Sequence, residues 1–295
     1  MPQLPPTAAP AYRRFTLNDW QVLALSDGTT TADLDQVLLD HTVQQVAPLL
    51  EEAGLGNPVT ISINAYLLDD GQRCLLLDTG AGDLMGAPAG HLLASLAQAS
   101  YQPDQIDAVL LTHIHGDHSG GLLAGEALAF PRAQVYVNEL DATYWLREAN
   151  QPLAPAARQR SFANARRKLL PYQAAGQLRP FAAGGEVLPG VATIARPGHT
   201  PGHTYYALAG AGPRLVFCAD LAHLITLQLA DPTIALAYDV DPAQAVRSRQ
   251  LALAEASAAG YWLAAAHAPF PGIGHVVATA TGYRWLPIDP DTIAL

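Results

Sequence analysis

Between residues 59 and 67 apolar and polar side chains alternate: Val59, Ile61, Ile63, Ala65 and Leu67 against Thr60, Ser62, Asn64 and Tyr66. A period of two predicts a half-buried strand. The turn residues Asp69-Asp70-Gly71-Gln72 and the apolar run that begins at Cys74 and ends at Asp78 complete a hairpin. Leu92, Leu93 and Leu96 share one side of a predicted helix over residues 91–100, and the apolar residues 108–111 follow as a strand. Residues 135–137 read as a short strand. Residues 141–147 and 156–170 read as helices, rich in basic residues and placed to cap one side of a pocket.

The second half repeats the mixture. Strands are predicted over residues 191–195, 204–208 and 215–218, and then a helix capped by Asp241, with Pro242 at its first position and Gly260 as its stop. A further strand over residues 261–265 ends just before His267. The unusual polar residues fall where strands end, which is where α/β sheets place ligands. The fold class expected is therefore α/β (α+β).

Composition bounds this picture. Half of the 295 residues are hydrophobic and 14% are charged, enough apolar material for a large buried core. Pro2 to Pro10 is proline- and alanine-rich, so the expectation is a flexible segment over residues 1–19 and one domain over 20–295. A net charge of −10 would repel nucleic acid and anionic membranes alike. No basic segment followed by an apolar core opens the chain, and no apolar run spans a bilayer, so a cytoplasmic protein is expected. Cys74 and Cys218 stand far apart with no CxxC pattern, and two buried thiols are expected rather than a disulfide.

The chemistry concentrates in Thr112-His113-Ile114-His115-Gly116-Asp117-His118-Ser119-Gly120-Gly121. In extended chain alternate side chains point the same way, so His113 and His115 can face one metal ion. A turn at Gly116 lets Asp117 and His118 face a second. One histidine is usually a satisfied polar residue; three within six residues, beside an aspartate and after an apolar strand, would all need partners in a core. Such a donor set suits zinc, manganese, cobalt or iron rather than calcium. One loop cannot complete two coordination spheres, and later strand ends supply the rest. His199, in Arg196-Pro197-Gly198-His199-Thr200-Pro201-Gly202-His203, offers a third ligand to the first ion. Asp220 is placed to bridge both, and His267 to complete the second.

The order HxHxDH, GHTPGH, an aspartate after an apolar strand and a late histidine resembles the metallo-β-lactamase superfamily, over residues 59–275. The resemblance implies a four-layer αβ/βα sandwich with a dinuclear site at the sheet edges. It implies that His113, His115 and His199 hold one metal, Asp117, His118 and His267 the other, and that Asp220 is shared. In that pattern His203 stands outside the ligand set, as support or packing. Asp78 is an outer acceptor for a ligand histidine, against the plainer reading of a turn aspartate.

Asn64-Ala65-Tyr66-Leu67-Leu68, Leu77-Asp78-Thr79-Gly80-Ala81-Gly82 and the run from Ala266 to His275 resemble the methyl parathion hydrolase, lactonase and arylesterase branch in particular. A redox di-iron relative would put a glutamate at His115. The resemblance implies Met85, Trp145 and Phe162 as lining for a leaving-group pocket, although a core role for the two aromatics is equally open. His223 stands where the lactonases of the branch place a tyrosine and would donate to a substrate oxygen, unless it is a surface residue.

The expected function is therefore a two-metal hydrolase of lactones or aryl esters, in which a shared, acidified water attacks the ester carbonyl. Asp117, Asp220 and His223 are its candidate catalytic residues. Phosphotriester hydrolysis of the methyl parathion type is the alternative, as main or side activity. A β-lactamase and a non-catalytic binding protein are weaker readings. The partner expected is a small ester or lactone, with neither nucleic acid nor membrane, and the resemblance implies a homodimer.

Overall fold

A computed structural model describes residues 11–208, 214–289, 291, 292, 294 and 295. The flexible segment expected at residues 1–19 lies outside them as far as residue 10. Its remainder is a correction, because order starts well before Trp20. β1 (Tyr12–Leu17) pairs along its whole length with β2 (Trp20–Ala32), burying Phe15 and Leu17.

The first sheet continues through β3 (Val59–Asp69), β4 (Cys74–Leu77) and β5 (Ala108–Leu110). A small hairpin, β6 (Leu123–Ala124) and β7 (Ala127–Leu128), stands apart before β8 (Gln134–Asn138) and β9 (Leu178–Phe181) complete the sheet. Its order is β1-β2-β3-β4-β5-β8-β9, antiparallel as far as β4 and parallel from there. The second sheet follows chain order: β10 (Glu186–Leu188), β11 (Val191–Ala195), β12 (Thr204–Leu208), β13 (Leu215–Ala219), β14 (Trp262–Ala265), β15 (Ile273–Ala278) and β16 (Tyr283–Pro287). Only β13 and β14 run parallel in it.

The helices are α1 (Leu34–Val37), α2 (Val43–Ala53), α3 (Leu92–Gln98), α4 (Gly116–Ser119), α5 (Glu139–Leu146), α6 (Ala156–Ala174), α7 (Ile225–Ala230) and α8 (Pro242–Ala259). Three apolar clusters account for four layers. One, with Val22, Tyr66, Leu110, Tyr206 and Phe217, draws on both sheets and forms the seam between them. A second joins the first sheet to α3, α5 and α6 through Leu96, Trp145 and Leu169. The third joins the second sheet to α8 through Leu253 and Ala256. Both sheets are thus buried on two faces, which is why every residue of β12 and β13 is buried. This is the αβ/βα sandwich that the resemblance implied.

Local signals set the ends of several elements. Asp241 accepts from Gln244 N at 2.9 Å, and Gly260 ends α8 in the left-handed region at φ 65°. Thr42 and Gln45 form a reciprocal cap on α2. Cys218 is buried and Cys74 only half-buried, and both are free thiols. No helix among the described residues is long and apolar enough to cross a membrane.

Candidate metal centre

The site stands where β5, β13 and β14 end, and turn chemistry brings its loops together. Asp78 leaves β4 with φ 59°. Its carboxylate then accepts from Thr112 N and Thr112 Oγ1, each at 2.8 Å, which fixes the chain just before His113. Thr79 N donates to His118 O at 2.7 Å. Gly121 packs against Thr79 so closely that a Cβ would collide with the Thr79 carbonyl oxygen. Residues 116–119 form one short helical turn rather than the open turn expected of Gly116.

Four of the five candidate ligand histidines are aimed by their other ring nitrogen. His113 Nδ1 lies 3.0 Å from Thr112 Oγ1, His118 Nδ1 2.8 Å from Asp78 Oδ2 and His199 Nδ1 2.8 Å from Asp239 Oδ1. His267 Nδ1 lies 2.9 Å from the Ser62 carbonyl. The opposite nitrogens converge: His113 Nε2 lies 3.1 Å from both His115 Nδ1 and His199 Nε2. Asp220 Oδ2 stands 3.1 Å from His199 Nε2 and 3.2 Å from His267 Nε2, while Asp220 Oδ1 is 3.0 Å from His118 Nε2. His267 Nε2 is 3.5 Å and His118 Nε2 3.6 Å from Asp117 Oδ2.

Donor atoms therefore gather in two separate groups, His113, His115, His199 and Asp220, then Asp117, His118 and His267, with an overlapping third of Asp220, His223 and His267. Within each group they lie less than 4.8 Å from one another. His118 Nε2 and Asp220 Oδ1 are buried and face each other, yet neither makes a hydrogen bond. Nitrogen and carboxylate donors crowded this closely, with two of them buried and unpaired, fit divalent cations of the zinc class.

The electrostatics agree. Burial, aided by neighbouring histidines, pushes His113 and His115 well below the ordinary histidine range. At His118, His199 and His267 burial also lowers the pKa, but the facing carboxylates outweigh it. His199 is raised to about 9, and the other two are raised as well. Burial raises Asp220, but the histidines around it win and hold it well below the usual carboxylate range. His113 and His115 are thus held neutral, with ring lone pairs free for a cation, while the carboxylates favour positive charge at the other three.

A cavity of about 640 Å³ opens from the centre. Leu39, Ile61, Met85, Pro155, Tyr238 and Val240 form much of its wall. Met85 lines it and is 42% exposed. Trp145 and Phe162 do not line it, and for them the leaving-group role is corrected. Both are fully buried, pack against each other at 4.7 Å and belong to the core under α5 and α6, with the Trp145 ring 5.3 Å from that of His115. Bulky aromatics on inward helix faces contribute more as core than as pocket wall.

His223 is buried rather than on the surface. Its Nε2 stands 2.9 Å from Asp220 Oδ2, and its ring stacks on that of His267 at 5.0 Å. His203 lies outside both donor groups, its ring 5.4 Å from that of His199, and its Nε2 is buried without a partner.

Two carboxylates escaped the sequence reading. Asp239 orients His199, yet in Tyr238-Asp239-Val240-Asp241 the helix cap Asp241 carried the only recognisable signal. Asp141 looked like the start of a helix, which the structure begins at Glu139. Fully buried, it accepts from Ile114 N at 2.9 Å, Thr200 Oγ1 at 2.9 Å and Gly202 N at 2.6 Å. One side chain thus ties the loop of His113 and His115 to the loop of His199. Because its partners are 27 and 61 residues away, no local pattern announced it.

Comparison with known proteins adds relatives to this geometry. The family profile described as Metallo-beta-lactamase superfamily matches residues 59–267. The crystal structure of a hydrolase called AbOPH, of the beta lactamase superfamily, shares 34% identity over 96% of this chain and 99% of its own, with a TM-score of 0.91. AidC, a dizinc quorum-quenching lactonase solved with a product bound, superimposes with a TM-score of 0.88 over 95% of this chain and 98% of its own, at 23% identity. A ribonuclease of Thermus thermophilus is 31% identical over 58% of this chain, and an atrochrysone carboxyl ACP thioesterase of Aspergillus chevalieri 32% identical over 34%. These matches span only 38% and 32% of the lengths of those two relatives.

Proposed function

Because the chain belongs to the metallo-beta-lactamase superfamily, as a metal-dependent hydrolase of that fold, we propose that it hydrolyses lactones or aryl esters with two divalent ions, zinc foremost. The observation that carries this reading is the seven-residue donor set opening into a largely apolar cavity, with the polar ring of His223 beside the shared aspartate. His113, His115 and His199 would hold one ion, Asp117, His118 and His267 the other, and Asp220 both. Bound there, the ions supply an acidified water and polarise the carbonyl it attacks.

The chain's own residues do the rest. Apolar walls exclude bulk water and take up the acyl or aryl group. Asp78, Asp239 and the Ser62 carbonyl hold the ligand rings in one orientation. His223 lines the cavity, and burial keeps it below the ordinary histidine range; its single N–H, at Nε2 beside Asp220, would become available to the substrate oxygen when Asp220 is engaged by the ions. The lactonase named among the structural relatives is consistent with this substrate class. The ribonuclease carries less weight, since a net charge of −10 opposes a polyanionic substrate. A homodimer belongs to the same reading.

The test is kcat/KM on metal-loaded protein for an aromatic lactone, an acyl-homoserine lactone, a phenyl ester, methyl parathion and a cephalosporin. A lactone or the phenyl ester should lead, a chelator should abolish turnover and added divalent metal should restore it. Faster turnover of methyl parathion would make phosphotriester hydrolysis the main activity. Full activity in rigorously metal-free protein would refute the reading.

A further inference from the structure

The longest helix, α6, carries Arg158, Arg160, Arg166, Arg167 and Lys168 and no acidic residue, in a chain whose net charge is −10. Part of this charge is paired locally. Arg167 and Lys168 share Asp83, with contacts of 2.8 and 2.7 Å, and Arg166 donates to Gln151. Arg158 is placed differently. Among the described residues it is the only arginine or lysine that lines the cavity of the metal centre. Its guanidinium also pairs with no carboxylate: Nη2 donates to the Asp239 carbonyl at 2.7 Å and, weakly, to that of Ala237 at 3.5 Å.

Ser161 follows three residues later, on the same face of α6, and lines the same cavity. Carbonyl acceptors hold a guanidinium in place without neutralising it. The half-buried charge of Arg158 therefore faces a largely apolar space with N–H groups at Nη1 and Nε to spare, and a hydroxyl stands one turn away. An unpaired cation there interacts with an anion far more strongly than it would in water.

We propose that Arg158 and Ser161 form a carboxylate-binding subsite, so that the preferred substrate is an ester or lactone bearing a second, free carboxylate away from the bond that is cleaved. The inference rests on the ester-hydrolase reading of the same cavity. The basic face of α6 would also draw such an anion toward a mouth that the acidic remainder of the chain repels.

A plainer role for Arg158 is a strut between α6 and the loop of residues 237–240, and the experiment separates the two. Calorimetry on the zinc-loaded protein compares two uncleaved amides, N-phenylsuccinamate, which is anionic, and acetanilide, which is neutral. The first should bind at least about tenfold tighter. Arg158→Gln should collapse that ratio, Arg158→Lys should keep most of it, and Ser161→Ala should reduce it in part. A strut lost on substitution changes both affinities together and leaves their ratio alone.

Equal affinity in the unaltered protein, or a ratio that survives Arg158→Gln, overturns the subsite. Turnover of phenyl succinate and phenyl acetate is measured on the same samples. If neither is cleaved while the affinity ratio stands, the hydrolase reading falls and the subsite remains.

Discussion

His199 shows how much one protonation state depends on its neighbours. Burial works against its charge, yet Asp220 and Asp239 hold it at about 9 without metal, and His118 and His267 are raised for the same reason. Binding a divalent ion such as zinc there would therefore expel protons. Titrating zinc into metal-free protein at pH 7 should release about two to three protons, read from calorimetry in buffers of different ionisation enthalpy, and affinity should climb with pH toward 9. For the metal-free fold the sign is that of groups raised on folding: their stabilisation is full below the unfolded histidine value near 6.5 and fades as pH rises through about 9. Asp141 acts at this scale too. Asp141→Asn replaces one acceptor with a donor facing backbone N–H groups and should weaken zinc binding by about 10–100-fold, as competition with a chromophoric chelator would reveal. His223→Phe should keep both metals, by elemental analysis, and lose on the order of 100-fold in kcat/KM for a lactone. An unchanged lactone rate would remove His223 from the chemistry.

Among the elements, the loops after strands matter more than the strands. The loop of His199 is held down at Gly198, whose φ of 128° suits glycine alone. A Cβ there would strike the backbone of Ala245 in the first turn of α8. Gly198→Ala should cost about 1–3 kcal/mol, seen in the urea midpoint, and should lower zinc content along with it. Strand and helix cores were readable because period and capping are local. The strands 191–195 and 204–208 coincide with the elements found, and α8 starts after Asp241 and stops at Gly260. The strand β2 and the helix α2 were not read from the pattern. In β2 the run Ser26-Asp27-Gly28-Thr29-Thr30-Thr31 looks like a polar loop, and only the sheet reveals its role. Asp27 is buried there because its carboxylate accepts from the backbones of Ala81, Gly90 and Leu92.

Over the whole molecule, the metal centre joins the two halves. Asp117 and three of the histidines follow a strand of the first sheet, while His199, Asp220 and His267 follow strands of the second. Without cations the same junction crowds three raised histidines against two carboxylates, held by loops from both sheets. Chelation should lower Tm on the order of 10 °C, reversibly, in a scan with and without zinc. A Tm indifferent to metal would mean that the interface of Tyr66, Tyr206 and Phe217 holds the halves together unaided.

The amino-acid sequence by itself determined the donor set. Histidines two residues apart after an apolar strand, with glycines behind them, have few other uses, and spacing along one chain is enough to reveal them. It determined the alternation that makes strands and the caps that end helices, because those rest on neighbours within a few residues. The tertiary structure decided what faces what. Trp145 and Phe162 went to the core and left the cavity to Met85, Tyr238 and Arg158. Asp239 and Asp141 became the supports of the ligand loops. Those outcomes depend on contacts between residues tens of positions apart, which form only when two sheets pack and each polar group must find its partner.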